Sequence, residues 1–123
     1  INDSADWDDD APDLRNEYVF GSYPQSNVIA VTNIWYFSGR NKRIVEYDVL
    51  FNTYYTWGDA GLDHLVMDLQ NIATHETGHG AGLADLYNRC VQETMYGYSL
   101  EGETTRRDLN TGDIAGIRAL YGT

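Results

Sequence analysis

The chain has 123 residues, of which 42% are hydrophobic and 22% are charged. This length suits one domain over residues 1–123, and the composition is that of a globular protein rather than a disordered one. Acidic residues outnumber Lys and Arg by 19 to 8, and the net charge is −11. That balance argues against a nucleic-acid partner and against an anionic membrane surface, because both require a basic face. We expect a monomer with neither of these among its partners.

Residues 1–27 form an acidic segment that we predict to be irregular, with Asp8, Asp9 and Asp10 in succession. Runs of like charge are usually solvated, so an exposed arm or loop is the simplest interpretation. A calcium-binding loop is the alternative, although the Asp, Asn and Gly spacing of an EF-hand is absent. The sequence therefore leaves calcium open as a cofactor.

Two neighbouring segments predict an antiparallel hairpin. Residues 28–37 are rich in β-branched and aromatic side chains, which favours a strand, and the polar residues 38–43 predict a turn. Residues 44–52 alternate between apolar and polar positions, as a second strand would. Glu46 and Asp48 fall on the polar face, which we predict to be exposed to solvent. Coordination of a metal by these two carboxylates is the alternative.

A helix is predicted to begin at Asp68, whose side chain can cap its first turn, and to run to about Gly82. Gly78 and Gly80 lie within this helix, and each glycine costs about 1 kcal/mol relative to alanine. The cluster of glycines therefore predicts either the close approach of a neighbouring group or an early helix end.

A second helix is predicted at the end of the chain. Asn110 can cap it, and Asp113 occupies the third helical position of a capping box. Gly122 follows the last turn and predicts its end. One apolar stripe runs along the helix and consists of Ile114, Ile117, Leu120 and Tyr121.

The segment H-E-T-G-H-G-A-G-L-A-D carries the candidate chemistry. His75 and His79 are spaced i, i+4, so a helix places both imidazoles on one face, where they can bind one Zn²⁺ ion. Glu76 borders that face and is placed to take a proton from a metal-bound water. A turn at Gly82 would swing Asp85 back toward the ion as a third ligand.

This spacing resembles the zinc motif of the metzincin peptidases, and the run Thr94-Met95-Tyr96-Gly97 resembles their Met-turn. Residues 109–122 are similar to the closing helix of the matrixins, the matrix-metalloproteinase-like family, and residues 44–49 to their central strand. The likeness covers roughly residues 28–123, while residues 1–27 show no counterpart of the strand and long helix with which matrixins begin. Snapalysin-like enzymes resemble this chain in using Asp as the third ligand, where most metzincins have His.

The resemblance implies an α+β fold, with a small twisted mixed β-sheet packed on the active-site helix, then a Met-turn and a C-terminal helix. It implies a secreted zinc endopeptidase that cleaves an extended peptide or protein substrate. His75, His79 and Asp85 would bind the catalytic zinc, Glu76 would be the general base that acts on the metal-activated water, and Met95 would form the floor beneath the metal. Tyr96 and Tyr98 are candidates for the substrate cleft, with simple packing as the alternative.

A non-catalytic metal-binding or protein-binding domain that retains the metzincin fold is the competing interpretation. Glu76 argues against it, because a closed structural zinc site needs no base. His64 is predicted to be a surface histidine, and we do not assign it the second, structural zinc of the animal matrixins. Cys90 is the sole cysteine, which excludes a disulfide within the chain. We predict a small, buried or half-buried thiol, with metal contact or pairing with another chain as the alternatives.

Overall fold

The computed structural model describes residues 5–39, 43–87 and 91–122, so Cys90 and residues 40–42 of the predicted turn lie outside it. The chain divides into two compact units, with the boundary between Tyr54 and Tyr55. The α+β class is confirmed. The elements are β1 (Glu17–Gly21), β2 (Ala30–Tyr36), β3 (Ile44–Asn52), β4 (Trp57–Gly58), β5 (Met67–Asp68), α1 (Leu69–Gly80) and α2 (Thr111–Tyr121).

The first unit contains a mixed three-stranded sheet in the order β1-β3-β2. The predicted hairpin is confirmed, because β2 pairs antiparallel with β3 from Ala30 opposite Phe51 to Tyr36 opposite Ile44. The prediction that residues 1–27 are wholly irregular is wrong, since β1 lies within them and pairs in parallel with β3. A five-residue strand whose partner lies about 30 positions along the chain leaves little local signal, because parallel pairing is non-local.

The prediction that the polar face of β3 is exposed to solvent is also wrong. Glu46 and Asp48 are both 0% exposed. The chain before β1 covers them with main-chain donors: the N–H of Leu14 donates to Oε2 of Glu46, and the N–H of Asp8 donates to Oδ2 of Asp48 at 2.9 Å. The N–H of Glu17 donates to Oδ1 of Asp48 at 3.1 Å. These carboxylates therefore hold the N-terminal segment against the sheet instead of facing water.

The second unit begins with the parallel pair β4 and β5, which leads directly into α1. Asp68 caps this helix as predicted, and its carboxylate accepts the N–H of Asn71 and that of Ala60, each at 2.9 Å. Nε of Arg107 also donates to Asp68, at 2.8 Å. The capping side chain thus joins three separate segments of this unit.

The helix α1 ends at Gly80, two residues before the predicted end. The N–H of Leu83 donates to the carbonyl of Gly78 and the N–H of Gly82 to that of His79, both at 2.9 Å. This pair of bonds is a Schellman motif, which needs a left-handed residue, and Gly82 has a φ of 101°. The predicted sharp turn at Gly82 is therefore confirmed.

The second helix, α2, also agrees with its predicted ends. Asn110 is the N-cap, and its N–H donates to Oδ2 of Asp113 at 2.8 Å. Gly122 follows the last helical residue. Within the described residues, neither helix is both long enough and apolar enough to cross a bilayer.

Candidate metal centre

The helix α1 places His75 and His79 one turn apart with their rings nearly perpendicular, at an interplanar angle of 88°. Their Nε2 atoms lie 3.1 Å apart. The two side chains are only 12% and 19% exposed. The two imidazoles therefore face a common point that is largely shielded from solvent.

The opposite nitrogen of each ring lies against a main-chain carbonyl. Nδ1 of His75 is 2.7 Å from the oxygen of Thr94, and Nδ1 of His79 is 2.8 Å from the oxygen of Leu83. A carbonyl oxygen only accepts, so Nδ1 must carry the proton and donate it in both rings. In a neutral ring of this tautomer, the lone pair of Nε2 is directed toward the common point, the arrangement that metal-binding histidines need.

Asp85 completes this cluster after the turn at Gly82. Its Oδ1 lies 3.0 Å from Nε2 of His75 and 3.3 Å from Nε2 of His79. The same oxygen is buried and has no hydrogen-bond partner. The three ligand atoms thus converge on one point, all within 4.8 Å of one another.

The chemistry of this donor set fits zinc. Tetrahedral ligands at about 2.0–2.1 Å from Zn²⁺ lie roughly 3.3 Å from one another, close to the observed 3.0–3.3 Å between Asp85 and the two rings. Two nitrogen lone pairs and a buried carboxylate oxygen without a partner repel one another unless a cation lies between them. A zinc ion held by these three side chains would keep one tetrahedral position for water or substrate.

The segment of the predicted Met-turn packs against α1. Met95 is buried, and a Cβ added to Gly78 would overlap its Sδ and lie 3.1 Å from its Cε. The close approach predicted from the glycines of α1 is therefore confirmed at Gly78. The N–H of Leu86 donates to the carbonyl of Met95 at 2.7 Å, which joins the chain after Asp85 to the same segment.

Asp113 of α2 holds Thr94 in place, a role that the sequence did not reveal. Its Oδ2 accepts the N–H of Thr94 at 3.0 Å and the N–H of Asn110 at 2.8 Å. Burial alone would raise the pKa of Asp113, but these main-chain donors outweigh it and hold the pKa below its usual range. The only sequence signal was its place in the capping box, which concerned α2 alone.

The other predicted site residues take different positions. Glu76 follows His75 on α1 and is 6% exposed. Tyr96 and Tyr98 contact each other edge to face, with ring centroids 5.8 Å apart. His64 is exposed, as predicted.

Tyr87 joins this aromatic group, although no sequence motif singled it out. Its ring lies 5.4 Å from that of Tyr98, centroid to centroid. Its hydroxyl donates to Oδ2 of Asp85 at 3.3 Å, and the charge of that carboxylate raises the pKa of Tyr87. Tyr87 thus contacts the carboxylate oxygen that faces away from the histidines.

The chain belongs to the matrixin family, because residues 5–122 match the matrixin family model. Metalloendoproteinase 1-MMP of Arabidopsis thaliana is 40% identical over 63 residues, which are 50% of this chain and 16% of that protein. Metalloendoproteinase 4-MMP of the same plant is 31% identical over 71 residues, 55% of this chain and 20% of the relative. The matched part of the chain thus spans a fifth or less of these curated relatives, and no solved structure matches it significantly.

Proposed function

We propose that this domain is a zinc-dependent endopeptidase. The observation that carries the proposal is the convergence of Nε2 of His75, Nε2 of His79 and Oδ1 of Asp85 on one shielded point. Membership of the matrixin family and the names of the two plant relatives support the same activity. The substrate is proposed to be a peptide or protein, and the setting extracellular.

Each residue of the centre has a proposed role. His75, His79 and Asp85 hold the zinc ion, and the carbonyls of Thr94 and Leu83 fix the tautomers that keep both Nε2 lone pairs available. When bound, zinc supplies Lewis-acid chemistry, lowering the pKa of a coordinated water and polarising the scissile carbonyl.

Glu76 is the proposed general base. Its carboxylate takes a proton from the attacking water and returns it to the amine of the departing peptide. Its place beside His75 on α1 and its burial suit this role, because a buried carboxylate exchanges protons with the substrate rather than with bulk solvent.

The aromatic group of Tyr87, Tyr96 and Tyr98 is the proposed wall of the substrate cleft. It lies beside Asp85, through the contact between that carboxylate and the Tyr87 hydroxyl. Flat aromatic faces bind side chains of an extended peptide with little loss of rotamer freedom. Met95 packs beneath α1 and fixes the helix on which both histidines lie.

The test compares Glu76→Gln with the parent protein and with Glu101→Gln, a control at an exposed position. Zinc content is measured by atomic absorption, and cleavage is measured on casein with and without a chelator. We expect Glu76→Gln to keep its zinc and to lose activity by about 10²–10⁴-fold, the usual contribution of a general base. The control should retain both properties.

Unchanged cleavage by Glu76→Gln would remove Glu76 from the mechanism. A parent protein that binds zinc at this centre and cleaves no casein would favour the non-catalytic, metal-binding domain over the peptidase.

A further inference from the structure

A cavity of about 400 Å³ lies in the second unit between the two helices, and we call it the α1–α2 cavity. Its lining on the side of α1 includes Ala73, Thr77 and Ala81, whose spacing of four residues places them on one face of a helix. Successive helical residues turn by about 100°, so His75 and His79 lie on the opposite side of α1. The α1–α2 cavity is therefore separate from the candidate metal centre.

Contacts at both ends of the α1–α2 cavity hold its walls in place. At one end, the hydroxyl of Tyr121 donates to the main chain at the end of α1 at 2.6 Å, and a Cβ added to Gly116 would lie 3.0 Å from Cδ2 of Leu83. At the other end, Asp113 accepts the N–H of Thr94 at 3.0 Å. Because both ends are anchored, the space between the helices is preformed, as it is in most ligand pockets.

The walls of the cavity are predominantly apolar. The side chains on the α1 wall are small, so the larger ones opposite leave the space open. Leu109 of the lining is 54% exposed, so apolar surface is left in contact with solvent, and covering such surface is favourable. The volume falls within the range of about 300–1,000 Å³ that is typical of small-molecule pockets. The apolar side chains of the lining are Ala73, Ala81, Leu83, Met95, Leu109 and Ile117.

The polar groups of the lining disfavour a charged ligand. The hydroxyls of Thr74 and Thr77 already donate to main-chain carbonyls of α1, both at 2.7 Å. Asp113 is 3% exposed and accepts the N–H groups of Thr94 and Met95 at 3.0 and 3.4 Å, and its main-chain donors hold its pKa below the usual range. An anion would meet this negative charge, and the described residues of the lining include no Lys or Arg to pair with it.

We propose that the α1–α2 cavity binds an uncharged, apolar small molecule. Such a ligand covers the apolar walls and requires no hydrogen bond from groups that are already bonded. It also packs against Thr94 and Met95, which support α1 from behind the candidate metal centre. The proposal does not depend on the peptidase activity.

The test is a fluorescence titration with N-phenylnaphthylamine, an uncharged apolar probe, and with anilinonaphthalene sulfonate, which adds a negative charge to the same rings. The variants Ala73→Leu and Thr77→Leu fill the cavity, and the matched control is Ala115→Leu, at an exposed position of α2 outside the lining. We expect one uncharged probe per chain. The affinity should be lower by about tenfold or more for the anionic probe and for the uncharged probe in both filled variants, because added carbons occupy the space of the ligand.

Thermal unfolding gives a second readout. The uncharged probe should raise the midpoint of the parent protein and of Ala115→Leu, and should leave that of the filled variants unchanged, since only a bound ligand stabilises the folded state. Thr77 is exposed, so Thr77→Leu gives an answer even where Ala73→Leu fails to fold.

The proposal is overturned if the parent protein binds no uncharged probe, if it binds the two probes equally, or if both filled variants bind the uncharged probe unchanged. Equal weakening of binding by Ala115→Leu would also overturn it. Neither zinc content nor peptide cleavage enters these readouts, so this result and that of the peptidase test are independent.

Discussion

The main-chain carbonyl of Thr94 accepts the Nδ1 proton of His75 at 2.7 Å, while the N–H of Thr94 donates to Asp113 at 3.0 Å. One residue of the segment around Met95 therefore connects a proposed zinc ligand on α1 to a buried carboxylate on α2. The orientation of the His75 ring depends on a side chain 38 positions away in sequence, since Asp113 fixes the carbonyl that holds Nδ1.

Replacing Asp113 by Ala should weaken both folding and zinc binding. The N–H groups of Thr94 and Asn110 would lose a buried acceptor, which lowers the free energy of unfolding by about 1–3 kcal/mol. Zinc affinity should fall roughly tenfold or more, the usual effect of losing support behind a ligand. Urea unfolding and competitive zinc titration measure the two effects. The exposed Asp108→Ala is the control, and unchanged zinc affinity in Asp113→Ala would contradict the connection.

Gly78→Ala should destabilise the protein although alanine is the better helix former. The added methyl would overlap Sδ of Met95, and overpacking of this kind costs about 1–3 kcal/mol. Thermal unfolding gives the change in stability. In a double-mutant cycle with Met95→Ala, the combined cost should be smaller than the sum of the single costs, because the smaller side chain leaves room for the methyl. Strict additivity would show that the two residues do not contact each other.

The stability of the protein should fall in acid through Asp68. The hydrogen bond from Arg107 holds the pKa of Asp68 below its usual range, and main-chain donors from Ala60 and Asn71 add to this effect. At a pH between its folded-state and unfolded-state pKa values, Asp68 is therefore ionised in the folded protein and protonated in the unfolded chain. Its contribution is complete above the unfolded-state pKa of about 4, and is lost as the pH falls through the lower folded-state pKa.

Urea unfolding at several pH values between about 7 and 3 measures this loss. Arg107→Gln should reduce stability above pH 4 and flatten its dependence on pH, since the main cause of the lowered pKa is removed. Arg118→Gln, at an exposed position of α2, is the control. An unchanged pH dependence in Arg107→Gln would contradict the role of this ion pair.

Asp85→Ala should reduce zinc affinity and leave the fold in place. The carboxylate lies 3.0 Å from Nε2 of His75, and its hydrogen bond from the exposed Tyr87 hydroxyl, at 3.3 Å, adds little to the stability of the fold. Chelator titration gives the affinity, and circular dichroism checks the fold. Asp63→Ala, an exposed aspartate of the same unit, is the control. Equal affinity in Asp85→Ala and the parent protein would exclude Asp85 as a ligand.

Local patterns were enough to predict α1, α2 and the meeting of His75 with His79. The caps at Asp68 and Asn110, and the turn at Gly82, depend on residues within a few positions of each other. Such short-range signals can be read from one sequence.

Features that depend on distant segments could not be predicted. Glu46 and Asp48 alternate with apolar residues, as on a solvent-exposed face, yet the chain before β1 covers them. The covering residues lie more than 30 positions away in sequence, so a local pattern cannot predict these contacts. The contacts from Asp113 to Thr94 and from Tyr87 to Asp85 were missed because they depend on how the folded segments meet.

The most direct test of the proposed zinc centre is an anomalous difference map from crystals grown with zinc, with data collected on both sides of the zinc absorption edge. We expect one strong peak about 2.0–2.2 Å from Nε2 of His75, Nε2 of His79 and a carboxylate oxygen of Asp85. A map without a peak between these three side chains, or with the Asp85 carboxylate turned away from the ion, would contradict the account.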